Sequence, residues 1–160
     1  MQVILSVRFH IGIILEKYIL PNFLSSRVLK EKYKDWLQKR ARSHVRRDRE
    51  RGNKTASVAE YQGAIHQAVI ESKGEDFYTG EPLDWELIGT YDNEASKRSG
   101  RVYKREYGML PSVDHVHDGL GPADFKICSW KMNDAKNDLS YDEFLELCKK
   151  VIEHRNNIKI

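Results

Sequence analysis

Apolar residues in the first half of the chain recur at helical spacing, whereas in the second half they gather into short runs. Leu29, Tyr33, Trp36, Leu37, Ala41 and Val45 lie mostly three or four positions apart. That spacing predicts an amphipathic helix after Pro21, capped by Ser25 or Ser26. Gly52-Asn53 breaks the pattern. A second stripe, Val58, Tyr61, Ile65, Ala68 and Val69, predicts a helix that opens at the capping box Ser57-x-x-Glu60 and stops at Gly74. Tyr33, Trp36 and Tyr61 fall on these stripes and read as core residues rather than base-stacking ones.

Beyond Asp76 the texture changes. Phe77 to Leu83 reads as a tight turn, Trp85 to Ile88 as a short element, and the polar stretch Thr90 to Arg101 as exposed loop. Tyr107 to Val113 and Phe125 to Cys128 read as two strands joined through the Gly/Pro/Asp turn Asp118 to Asp124. A short helix begins near Trp130. Ser140-x-x-Glu143 then caps a last helix with Phe144, Leu147, Cys148 and Val151 inward.

Two helices, a hairpin and two helices predict an α+β fold. With 160 residues the chain is expected to form one compact domain. Within it, residues 1–75 supply an apolar N-terminal element and a basic helical region, and residues 76–160 supply the hairpin core and C-terminal helix. The run Val3 to Leu20 is apolar, but Arg8 and His10 interrupt it and Glu16-Lys17 fall inside it. A spanning helix needs about 20 largely uncharged apolar residues. The expectation is therefore a buried element, or a surface for a protein partner or a second copy, and no membrane association. The two cysteines, Cys128 and Cys148, form no CxxC pair, which predicts buried thiols in a reduced, cytoplasmic protein with no structural zinc.

Net charge is only +3, but it is unevenly distributed. Lys39, Arg40, Arg42, Arg46, Arg47, Arg49 and Arg51 crowd the end of the first helix, while the C-terminal third is mixed or acidic. Such asymmetry suits a polyanion such as nucleic acid on one side of the molecule. Tyr103, Lys104 and Arg105 are further candidates for contact with its backbone. His44, His66 and His154 lack matching partners in the sequence and read as structural or exposed.

The candidate chemistry lies in Asp114-His115 and in Asn133-Asp134-Ala135-Lys136, with the hairpin between them. Asp114 offers a hard anionic oxygen of the kind magnesium prefers. A neutral His115 imidazole is a suitable general base near pH 7. Adjacent residues of a regular strand point to opposite faces, so both serve one site only if the strand ends or bends there. Asn133 can return its amide oxygen to the same ion, and Lys136, three residues on, shares its helical face and can meet a phosphate oxygen. His117 is a rival ligand or base two residues from His115.

Val113-Asp114-His115-Val116 together with Asp124 to Lys136 resembles the HNH, or His-Me finger, nuclease superfamily and its ββα-metal hairpin–helix core. The resemblance covers roughly residues 76 to 138. It implies a metal-dependent endonuclease that hydrolyses phosphodiester bonds, DNA before RNA, with one divalent ion, magnesium before manganese. It implies further that Asp114 and Asn133 bind the ion, that His115 activates water, and that Lys136 supports the phosphate or the helix. The family's middle asparagine, which orients the imidazole, falls at Asp124, where a carboxylate can accept the same hydrogen bond. Tyr78-Thr79-Gly80-Glu81 resembles the turn in which other members carry a zinc-binding CxxC. Lacking those cysteines, the core is expected to be held by packing alone. The rival readings are a catalytically silent nucleic-acid-binding module on the same fold and a protein-interaction accessory domain.

Overall fold

The computed structural model describes residues 17–157, so the expectations for residues 1–16 lie outside the described part. The described elements are α1 (Lys30–Arg51), α2 (Val58–Ser72), α3 (Asn93–Glu106), β1 (Pro111–His115), β2 (Phe125–Ser129), α4 (Trp130–Lys136) and α5 (Tyr141–Asn157). The class is mixed α+β, with five helices and one two-stranded antiparallel sheet among these residues. The stripes of α1 and α2 face each other, and α2 also rests on β2. One hydrophobic cluster runs from Leu24 through Leu37, Tyr61, Ile65 and Trp85 to Val113 and Ile127. Each fully buried aliphatic side chain there contributes about 1.5–3 kcal/mol.

The first helix starts later than its serines predict. Ser25 sits in a turn after a 3-10 segment, its Oγ donating to the Asn22 carbonyl at 2.8 Å, and Leu29 precedes α1 without a side-chain cap. Arg27 pairs with Glu86 at 2.7 Å, and Leu24 and Val28 are buried, so packing fixes the entry to the helix. The second helix begins as its sequence predicts, with the Ser57 hydroxyl accepting from the Glu60 amide at 3.3 Å.

Part of the predicted loop over residues 90–101 is helical. The Asp92 carboxylate caps α3 by accepting from Ala95 N at 2.8 Å, and Gly100, at φ 55° and ψ −126°, interrupts the helix. Asn, Ser and Gly are weak helix formers, and they mask the Glu, Ala, Lys and Arg residues that favour this helix. Tyr107 meets Tyr91 edge-on at 5.1 Å, and Tyr91 lies 5.8 Å from Trp130 at the head of α4. The first strand is correspondingly short, because Tyr107 to Leu110 form a turn closed by Leu110 N donating to the Tyr107 carbonyl at 3.0 Å. In the hairpin, Asp114 faces Lys126 and His115 faces Phe125.

The last helix departs most from expectation. Its reciprocal cap is present, Glu143 N donating to Ser140 Oγ at 3.3 Å and Ser140 N to Glu143 Oε2 at 2.8 Å. None of its residues is buried, however, and Leu147 and Val151, expected inward, are 48% and 62% exposed. Cys128 is buried as expected, whereas Cys148 is only half-buried. Among the described residues no helix is long and apolar enough to cross a membrane.

Candidate functional site

The end of β1, the following loop, α4 and the start of α5 enclose a cleft of about 1130 Å³, with Arg47 and Arg51 of α1 on its wall. Asp114, His115, His117, Asn133 and Lys136 all line it. His115 is the last residue of β1, where the regular alternation of the strand ends, so two adjacent side chains reach one cleft.

Each side chain has a defined partner. The Asp114 carboxylate is nearly buried, and its Oδ2 accepts a short hydrogen bond from the Tyr78 hydroxyl and faces Lys136 Nζ at 3.3 Å. Lys136 is itself buried and also donates to the Leu139 carbonyl at 2.7 Å, so its ammonium serves Asp114 and the chain turn rather than reaching outward. Asn133 donates its amide N–H to Ser112 Oγ at 3.0 Å, which frees the amide oxygen. Burial, then the hydrogen bond to Asp114, holds the Tyr78 hydroxyl well above the usual phenol range.

The turn that carries Tyr78 is not held by packing alone. Buried Asp76 accepts from Tyr78 N at 2.8 Å and Thr79 N at 3.2 Å through Oδ1, and from Ser129 N at 2.7 Å through Oδ2. One carboxylate thus ties the turn to the junction of β2 and α4.

His115 is not held by Asp124. Its Nε2 lies 2.7 Å from Oδ2 of Asp48, a fully buried residue of α1. The Tyr61 hydroxyl of α2 donates to the same oxygen at 2.6 Å. Phe125 is the cross-strand neighbour of His115, and its ring centroid, 4.5 Å away, fills the space beside the imidazole. Asp124, one position earlier, points away and instead lies 3.7 Å from Nε2 of the exposed His117. His117 is thereby paired with a surface carboxylate rather than with Asp114.

A second histidine backs the first. His44 is buried edge-on to His115, the ring centroids 5.1 Å apart, and accepts from Arg47 Nη2 through Nδ1 at 2.8 Å. Burial, then the Arg47 guanidinium, lowers the His44 pKa to about 2. Burial also lowers the His115 pKa, with Asp48 opposing the shift. Both rings are therefore neutral at pH 7.

The basic run does not form one face, because thirteen consecutive positions wrap more than three turns of helix. Only Arg47 and Arg51 reach the cleft. Arg42, Arg46 and Arg49 rim a separate groove of about 480 Å³ over Val45 and Val58, and Arg49 donates to the Ala56 carbonyl at 2.8 Å. Arg40 is partly buried, and Lys39 is exposed.

No family model, curated protein or solved structure matches this chain. The residues of the cleft must therefore carry the functional reading. Among the described residues no three His, Cys, Asp or Glu side chains cluster closely enough to hold a metal ion. The donors on hand are one Asp114 oxygen not engaged by Tyr78 or Lys136 and the Asn133 amide oxygen. Such a set suits magnesium, which binds through one or two carboxylates and keeps several waters, and does not suit zinc.

Asp48, Tyr61, Tyr78 and Asp76 belong to no adjacent catalytic pair in the sequence. Asp48 left one trace, since it extends the stripe Leu37, Ala41, His44 and Val45 by one further turn. A carboxylate in register with an apolar stripe points inward and requires a partner there.

Proposed function

We propose that the chain is a metal-dependent endonuclease of the HNH type that hydrolyses phosphodiester bonds in DNA, with β1, β2 and α4 as its hairpin–helix core. The observation that carries this reading is the convergence of Asp114, His115 and Asn133 on one cleft whose wall bears Arg47 and Arg51. Asp114 and Asn133 would hold a magnesium ion, and that ion supplies Lewis-acid stabilisation of charge on the phosphate and the departing oxygen. The neutral His115 ring takes a proton from water as its oxygen bonds to phosphorus and the bond to the 3′ oxygen breaks. Arg47 and Arg51 hold phosphate oxygens through guanidinium N–H groups.

One observation favours a silent nucleic-acid-binding module instead. Lys136 already places an ammonium against Asp114, a position in which a cation competes with a divalent ion. Plasmid cleavage under magnesium titration separates the two readings. The endonuclease needs the ion and loses cleavage in His115→Ala while DNA binding persists. The silent module yields no product with any metal, and its DNA affinity falls with salt independently of divalent ions. Cleavage by His115→Ala at the wild-type rate would remove His115 from the mechanism.

A further inference from the structure

We infer that Asp48 is the positioning residue for His115, so that α1, outside the hairpin–helix unit, is part of the hydrolytic apparatus. The inference rests on the reading of His115 as the base.

The contact has the geometry of a fixed support. A carboxylate only accepts, so the 2.7 Å contact puts the proton of a neutral His115 ring on Nε2. The lone pair then belongs to Nδ1, which has no hydrogen-bond partner among the described residues. Asp48 thus selects both the ring orientation and the nitrogen that can take a proton from water.

The support is itself held from two sides. Tyr61 donates to the same Oδ2 at 2.6 Å, which limits rotation of the carboxylate. Backbone of the loop after His117 covers the other oxygen. A Cβ at Gly119, where φ is +81°, would fall 2.5 Å from Asp48 Oδ1, so only glycine allows this approach. Asn53, just past the end of α1, secures that loop by donating to the Gly119 carbonyl at 2.8 Å. Oδ1 is buried without a hydrogen-bond partner, and the nearest cation is Arg51 Nη1 at 4.0 Å. A carboxylate kept there for stability alone would be expected to satisfy both oxygens. Here the satisfied oxygen is the one that faces the imidazole.

The test reads the tautomer directly. In protein labelled with nitrogen-15 at histidine, wild-type His115 shows a protonated Nε2 and an unprotonated Nδ1 at pH 7.5. In Asp48→Asn the Nδ1–H form appears, because a carboxamide can donate to Nε2 as well as accept from it. In the cleavage assay the same variant loses about 10³- to 10⁴-fold in kcat with little change in KM. A wild-type ring protonated on Nδ1 overturns the inference, and that measurement needs no variant to fold. Asp48→Asn with an unchanged tautomer overturns it as well, whatever its rate. Failure of the endonuclease reading is distinguishable, since it removes cleavage from the wild type and leaves the tautomer result standing.

Discussion

The first and last helices, α1 and α5, carry the same kind of pattern and end in opposite situations. Both have apolar residues at helical spacing and charges on the remaining positions. The α1 stripe is buried against α2, and it takes His44 and Asp48 into the interior with it. No residue of α5 is buried; it touches the body at its first residue, where the Tyr141 ring lies 6.0 Å from Phe77 and 5.5 Å from Tyr78. An amphipathic pattern therefore states what a helix can bury, and the rest of the fold decides whether it does. The polar members of the α1 stripe are the informative ones, because each requires a specific partner to be tolerated there.

The sharpest way to break this comparison is to truncate one apolar residue of each stripe to alanine. Leu37→Ala in α1 is expected to cost about 2–5 kcal/mol, because Leu37 is fully buried and its truncation leaves a cavity. Val151→Ala in α5 is expected to change stability by less than about 0.5 kcal/mol. Urea denaturation of the two variants measures the contrast, and similar losses would show that α5 is a packed element in solution.

A second substitution probes the polar part of the α1 stripe. Tyr61→Phe removes one of the two hydrogen bonds to Asp48 Oδ2 without a large change in volume. Loss of one hydrogen bond to a charged group costs about 1.5–3 kcal/mol. Thermal and urea denaturation should show that loss, and an unchanged midpoint would mean that Tyr61 does not support Asp48.

The two helices also show how much could be read in the chain itself. The class, the serine caps at Ser57 and Ser140, the hairpin and the α1 and α2 stripes follow from local spacing, since periodicity and capping act over a few residues. Asp114, His115, Asn133 and Lys136 were visible because they are close in sequence. Asp48 was hidden 67 positions from His115 inside a run of arginines. Its role depends on how α1 crosses the hairpin, which no local signal encodes. The assignment of the orienting role to Asp124 has another origin, the resemblance, which sets this residue in the place of the family's middle asparagine, whereas its carboxylate lies against His117. The α3 helix was obscured by its Asn, Ser and Gly residues, and the Tyr91–Tyr107 contact that brackets it is a tertiary fact.

Acid should act on the interior of α1 and leave α5 largely indifferent. In the unfolded chain His44 gains a proton as pH falls through its ordinary value of 6.5, whereas in the fold it stays neutral down to about 2. Between those values the unfolded state binds the additional proton, so stability falls as pH drops below about 6.5. The slope from this residue is up to about 1.4 kcal/mol per pH unit. His115 acts in the same direction, since its pKa is also lowered by burial. His44→Phe should flatten the decline measured by urea denaturation between pH 6.5 and 4.5, and an unaltered slope would show that His44 can be protonated in the folded state.

The smallest effect belongs to the charges of α5 and bears on what holds a helix that buries nothing. Lys150 lies 3.6 Å from Glu146, and Lys149 lies 4.0 Å from Glu153, both one turn apart and exposed. Such pairs stabilise an isolated helix by about 0.3–0.5 kcal/mol each and are screened by salt. The Ser140–Glu143 cap satisfies an orphan amide at the helix start and contributes more. Lys150→Ala should therefore leave the global unfolding midpoint unchanged and raise amide exchange only within α5. Ser140→Ala should raise it further, beginning from the first turn. If both variants lowered the global midpoint, α5 would be cooperative with the α1–α2 core and the contrast between the two helices would fall.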